Sequence, residues 1–179
     1  MATTTTLDTL KINYLTQAQY DAAVTAGTIN SDEIYMTPAS GRAYCYAATF
    51  TATSISAQNT LTQVPIASID IANNFSYDST NKGLKCEKAG RYMVSVWLST
   101  DSTVTSGDIY GVQVKKNNND ITTYPTYHRL AGTYDHAQMP PTYVGLAVGD
   151  VLTVWVRNNS AARGKVDGSG SRIAVWEVG

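Results

Sequence analysis

Between Gly90 and Thr100 the side chains alternate: Tyr92, Val94, Val96 and Leu98 on one parity, Met93, Ser95 and Trp97 on the other. A period of two over this length is a β-strand that buries one face, because successive strand side chains point to opposite sides. The flanks agree. Asp78-Ser79-Thr80-Asn81-Lys82-Gly83 is rich in side chains that bond their own backbone and ends in glycine, so it reads as a turn. Leu84–Cys86 is a short strand, and Lys88-Ala89-Gly90 turns into the long one.

From Tyr44 onward the chain reads as strand and turn. The candidate strands are 44–53, 61–71, 84–98 (broken at the Lys88–Gly90 turn), 109–115, 143–146, 151–157 and 173–178. Asn117–Asp120, Asn158–Ser160 and Asp167–Gly170 read as loops. Many short strands with loops at near-regular spacing predict an all-β sandwich or jelly roll. Alternation assigns Tyr92, Val94, Val96, Leu152, Val154 and Val156 to the core. Trp155 then points outward, where a neighbouring subunit would cover it; the alternative is a core tryptophan in a shifted register.

One helix is expected near the N-terminus. Thr16 and Gln19 form a capping box, and Leu15 with Tyr20 a hydrophobic staple. Alanines fill Gln17 to Ala26, and Gly27 is a natural stop. A short strand, Glu33–Thr37, follows and ends at Pro38. Residues 1–42 carry too little apolar surface for a core of their own. The expected division is therefore 1–42, a helix-plus-strand segment, and 43–179, the β domain.

Composition limits the function. Apolar residues are 43% of the chain, enough for a core, while charged residues are 15% and the formal charge is −1. No basic stripe is present, which argues against a nucleic-acid partner. No apolar run of membrane length occurs. The first residues lack the basic and apolar regions of a signal peptide, so the chain is expected to be made in a cytoplasm or to have lost a leader. Cys45 and Cys86 have no metal spacing and read as two buried thiols, with a bridge as the alternative.

Catalytic patterns are missing. Neither His128 nor His136 sits in a nucleophile or metal motif, and Walker, dinucleotide and Gly-x-Ser-x-Gly patterns are absent. Asp78, Asp120, Asp150 and Asp167 fall in turns and read as turn-capping groups. Asp101 and Asp108 flank a Ser/Thr/Gly loop that suits calcium in principle, but calcium loops carry more carboxylates. No catalytic residue, metal or cofactor is expected. The densest surface candidate is Thr122–Tyr134, read as irregular, in which Tyr124, Tyr127 and Tyr134 offer stacking faces and His128 and Arg129 offer donors. The competing reading places these aromatics at a subunit interface or over the end of the sandwich.

The Gly90-x-Tyr92-x-Val94-x-Val96 strand, with the turn and short strand before it, resembles the globular heads of complement and of tumour-necrosis-factor (TNF)-like proteins. Tyr110–Asn117 resembles that family's strand ending in a Lys-Asn turn. Leu146-Ala-Val-Gly-Asp-Val-Leu resembles its Gly-Asp hairpin, and Ile173–Val178 its closing strand. The resemblance implies a jelly roll that assembles as a homotrimer, and the outward parity of Trp155 makes it the expected subunit-interface residue. Leu10–Ala23 and Asp32–Pro38 resemble a module of bacteriophage tail-fibre and appendage proteins. That implies a virion protein made in a bacterial cytoplasm and attached to other virion proteins by its N-terminal segment. The expected function is non-enzymatic: a fibre, collar or tail-tip subunit whose trimeric head touches the host surface, with cell-surface carbohydrate as the candidate ligand. The alternatives are an architectural plug or decoration protein and a polysaccharide depolymerase.

Overall fold

A computed structural model of the protein describes residues 11–14, 17–29, 33–36, 42–47, 49–122 and 125–178. The chain divides into two units, Met1–Gly41 and Arg42–Gly179.

In the first unit, β1 (Lys11–Tyr14) and β2 (Glu33–Met36) pair in parallel around α1 (Gln17–Thr25). Strand β1 was not foreseen; four residues carry no readable periodicity. The helix stops as its sequence demands. Gly27 takes a left-handed φ of 65°, its amide donates to the Val24 carbonyl at 3.1 Å, and the Thr28 amide reaches back to Ala23 at 3.0 Å. This is the paired closure that glycine at C′ permits. The capping box and staple involve Thr16 and Leu15, which lie outside the described residues.

The second unit holds β3 (Tyr44–Ala47), β4 (Thr49–Phe50), β5 (Thr53–Ser54), β6 (Thr62–Val64), β7 (Ile66–Ser68), β8 (Ile71–Asn73), β9 (Phe75–Asp78), β10 (Gly83–Cys86), β11 (Gly90–Thr100), β12 (Ile109–Lys116), β13 (Asn119–Asp120), β14 (Thr126–Arg129), β15 (His136–Leu146), β16 (Val151–Asn158) and β17 (Lys165–Glu177). Two sheets pack face to face. One has the order β15-β11-β17-β3-β8, with β5 beside β17; the other has β13-β12-β16-β10-β9, with β14 beside β12 and β6 beside β16. Their inner faces share one core. Tyr92, Val94, Val96, Leu98, Ile173 and Val175 come from the first sheet, and Leu84, Val112, Val114, Leu152, Val154 and Val156 from the second. All six core residues assigned from alternation are buried.

Three departures have local causes. Leu61–Ile71 was read as one strand but breaks into β6, β7 and β8; the first break falls at Pro65, which has no N–H for a ladder and whose carbonyl accepts the Thr51 amide at 2.8 Å. Asp167–Gly170 was read as a loop but lies inside β17. Between Trp97↔Arg172 and Ser99↔Asp167 the pairing slips, and the surplus β17 residues bulge out, held by Ser99 Oγ to Gly170 O at 2.9 Å and Ser171 Oγ to Asp167 O at 2.6 Å. Gly168 is required there, since a Cβ would stand 2.0 Å from the Phe50 carbonyl oxygen. Asn117–Asp120 was read as a loop but is a hairpin: Asn117 and Asn118 have φ of 50° and 66°, a two-residue turn that matches strand twist.

Candidate functional site

Each sheet turns one parity inward and leaves the other outward. On the first sheet the outward parity is aromatic. One row crosses five strands as Asn73, Tyr44, Trp176, Met93 and Tyr143, and the next runs Ile71, Tyr46, Ala174 and Ser95. No charged residue stands in either row. Beyond them Trp97 lies between Arg172 and Gln138, with the His136 ring 4.6 Å from it. Tyr44, Ile71, Trp97, Tyr143 and Trp176 are between 38% and 58% exposed. Large apolar groups gathered on one open face are the composition of a protein–protein interface.

The second sheet finishes its outward face differently. Gly111, Gln113 and Lys115 of β12 stand beside Arg157, Trp155 and Thr153 of β16. Trp155 does point outward, but its own chain half covers it. The Lys115 ammonium lies 4.7 Å from the ring centroid, and the indole N–H donates to Thr153 Oγ1 at 2.9 Å. Gln113 is 1% exposed although it faces out, and its amide donates to the Thr122 carbonyl at 3.5 Å.

The segment expected to be irregular is in part a strand. Strand β14 pairs with the β12 edge, setting Gly111 opposite Tyr127. A Cβ on residue 111 would meet the Tyr127 ring at 2.9 Å and Pro125 at 3.2 Å, so glycine lets that ring pack close against β12. Arg157 closes over the same ring at 5.3 Å and donates from Nη2 to the Tyr127 hydroxyl. The expected site residues therefore separate. Tyr127 and Arg129 share the outward parity, while His128 pairs with the core residue Tyr110 on the other. Tyr134 stands on the following loop, 68% exposed, with a φ of 58° that a bulky side chain rarely adopts. Asp135 fixes that loop by accepting the Ala131 and His136 amides at 2.6 and 2.8 Å. The Ala131 amide is the main reason its carboxyl titrates below the usual carboxylate range. Tyr124 lies outside the described residues.

The carboxylates mostly serve the backbone. Asp78 accepts the Asn81 amide at 2.7 Å, Asp150 accepts that of Ala147 at 2.8 Å, and Asp167 that of Ser169 at 3.0 Å; Asp120 instead pairs with Lys115 at 3.4 Å. Asp108 is buried, and Arg163 Nη2 meets it at 2.9 Å. Burial works to raise its carboxyl pKa, but Arg163 and the Thr105 amide outweigh it and the group titrates low. The cation paired with Asp108 is the Arg163 guanidinium. Asp101 is occupied by the Thr103 amide and hydroxyl. Among the described residues no cluster of three or more metal-ligating side chains forms. Cys45 and Cys86 are both free and buried. Burial, and secondarily the charge of Asp70, pushes the Cys45 thiol up to about 12, so it is an inert hydrophobe.

No protein family model and no curated protein matches the sequence. Solved structures do match the fold. Murine APRIL at pH 8.5 is similar over 76% of this chain and 99% of its own, with a TM-score of 0.55 and 15% identity. Eiger TNF from S. frugiperda is similar over 77% and 93%, with a TM-score of 0.50 and 15% identity. The vertex protein P5 of PRD1 is similar over 77% and 96%, with a TM-score of 0.50 and 15% identity. The fold they define is the TNF-like jelly roll, and the described residues of the second unit adopt it.

Proposed function

We propose that the chain is a structural protein of a bacteriophage or prophage virion, with a homotrimeric jelly-roll head that contacts the host surface and residues 1–42 docking on other virion proteins. The observation that carries the reading is the aromatic face of the first sheet, whose two central rows hold no charged residue. One copy leaves Tyr44, Trp97, Tyr143 and Trp176 in water, and three copies about an axis would cover them. This face, rather than Trp155, is the proposed interface, since Trp155 already has Lys115 over it. The likeness of the head to a phage vertex protein and the tail-fibre resemblance of the N-terminal segment support a virion setting.

Host contact is assigned to the β14 edge and the loop after it. Tyr134 is the most exposed large hydrophobic residue described there, and loops held by a rigid sandwich are where contacts usually sit. Adsorption competition tests the proposal: purified protein should slow adsorption of the phage that encodes it, and Tyr134→Ala should weaken that competition without changing the melting temperature. Protein that fails to compete would leave an architectural plug or decoration protein, the reading that the vertex-protein likeness also supports.

A further inference from the structure

The outward face of the second sheet holds a trough that the residues so far described do not explain. Val151 and Thr153 belong to the outward parity of β16, yet they are 9% and 3% exposed. Two turns rise beside them and cover them: the Asn117-Asn118 turn between β12 and β13, and the Asp78–Gly83 turn that carries Asn81. Between these walls lies a cavity of about 210 Å³ lined by Asn81, Asn117, Asn118, Val151 and Thr153.

The lining is uncharged, and its polar groups fall into two sets. Asn117 is committed to structure, donating to Asp150 at 2.6 Å and accepting the Val151 amide at 2.8 Å. It locks the hairpin turn to the sheet and makes the wall rigid. The Gln63 amide donates to the Asn81 carbonyl at 2.6 Å and braces the opposite wall. The second set is available. The Asn118 amide makes no hydrogen bond among the described residues, Asn81 uses only its Nδ2, weakly, on Asp78 at 3.3 Å, and Thr153 receives the Trp155 indole while keeping its own proton to donate. The floor is formed by Val151 and Thr153 of β16. Around the rim Lys115 pairs with Asp120 at 3.4 Å and Lys116 with Asp150 at 3.8 Å, while Lys85 stands opposite Val151 across the β10–β16 register.

We infer that this trough binds one neutral pyranose unit of a saccharide. Such a ring presents hydroxyls that both donate and accept, which amides and a hydroxyl match, and a C–H face that suits a floor of valine and threonine. The volume is below the ~300–1,000 Å³ of a drug-sized site and suits a single ring. None of the five lining residues is charged, so the lining itself does not select an anionic ligand. An extended peptide would require an open sheet edge, whereas the trough lies on a sheet face between two walls. The inference deepens the host-contact reading by naming a second site and its ligand class.

Saturation-transfer NMR on the full chain with methyl glycosides of glucose, galactose, mannose and N-acetylglucosamine tests it. At least one should bind in the millimolar range, and Asn118→Ala and Asn81→Ala should each weaken it about 2- to 10-fold, the effect of one hydrogen bond. Binding by none of the four, binding unaffected by both substitutions, or preference for glucuronate over glucose would overturn the assignment. The trough is built within one chain, so binding should persist in a Trp176→Glu variant whatever its mass. Binding lost with that variant would place the ligand between subunits and overturn the proposal, whereas failure of the trimer alone would show only in the mass.

Discussion

The two sheets obey the same alternation, yet their outward faces are finished in opposite ways. The second sheet covers itself: Lys115 lies over Trp155, Arg157 over Tyr127, and Thr122 takes Gln113. The first sheet leaves Tyr44, Tyr143 and Trp176 open, and Trp97 only partly covered by the His136 ring. An aromatic on an outward strand position therefore does not by itself mark an interface. What its own neighbours do with it decides, and those neighbours are read from cross-strand register, not from the strand's own sequence.

Val94→Asp should give the largest effect. It places an unpaired charge in the core both sheets share, and it should abolish cooperative melting followed by circular dichroism. A soluble variant with a normal melt would mean the inward and outward parities of β11 are exchanged, and with them the two faces compared here.

Both sheets carry carboxyls that titrate low, Glu177 on β17 as well as Asp108 and Asp150 beside the second sheet, so acid should destabilise the molecule as a whole. The Asp108 and Asp150 carboxyls titrate below the usual range: burial opposes this, but Arg163 and the Thr105 amide at Asp108, and the Ala147 amide and Asn117 at Asp150, prevail. A depressed folded-state pKa stabilises above the unfolded value, about 3.9 for aspartate, and that stability is lost as pH falls through the folded value. Denaturant midpoints should hold steady near neutrality and drop below about pH 4. Asp108→Asn should cost about 1–3 kcal/mol at pH 7, less at pH 3. A cost independent of pH would mean that Asp108 acts by shape and not by charge.

Arg157→Ala should have the smallest effect. Removing the guanidinium from the Tyr127 ring should cost about 0.5–1 kcal/mol and leave the molecular mass unchanged. A changed mass would make the second face an interface too.

Much of this was legible in the sequence. Tyr92–Leu98 and Leu152–Val156 declare their parity, Gly27 and Gly149 sit where a left-handed residue ends a helix or a turn, and turn duty for Asp78, Asp150 and Asp167 follows from side-chain chemistry. Trp97 and Trp176 also lie on the outward parity of readable strands, so the aromatic face was available to the same reasoning that singled out Trp155. The partners of each aromatic were not. That Lys115 covers Trp155 depends on the β12–β16 register, and that Tyr127 packs close to β12 depends on Gly111 from another strand. The trough was equally hidden, because its residues come from β16 and two turns far apart in the chain.

The central claim is that the first sheet's aromatic face is a subunit interface. Size-exclusion chromatography with light scattering on the full chain at micromolar concentration tests it most directly. The expected mass is about 58 kDa, three copies of a 19.3 kDa chain, falling toward 19.3 kDa for Trp176→Glu and unchanged for Lys115→Ala. A wild-type protein that elutes as a stable 19.3 kDa monomer would contradict the account.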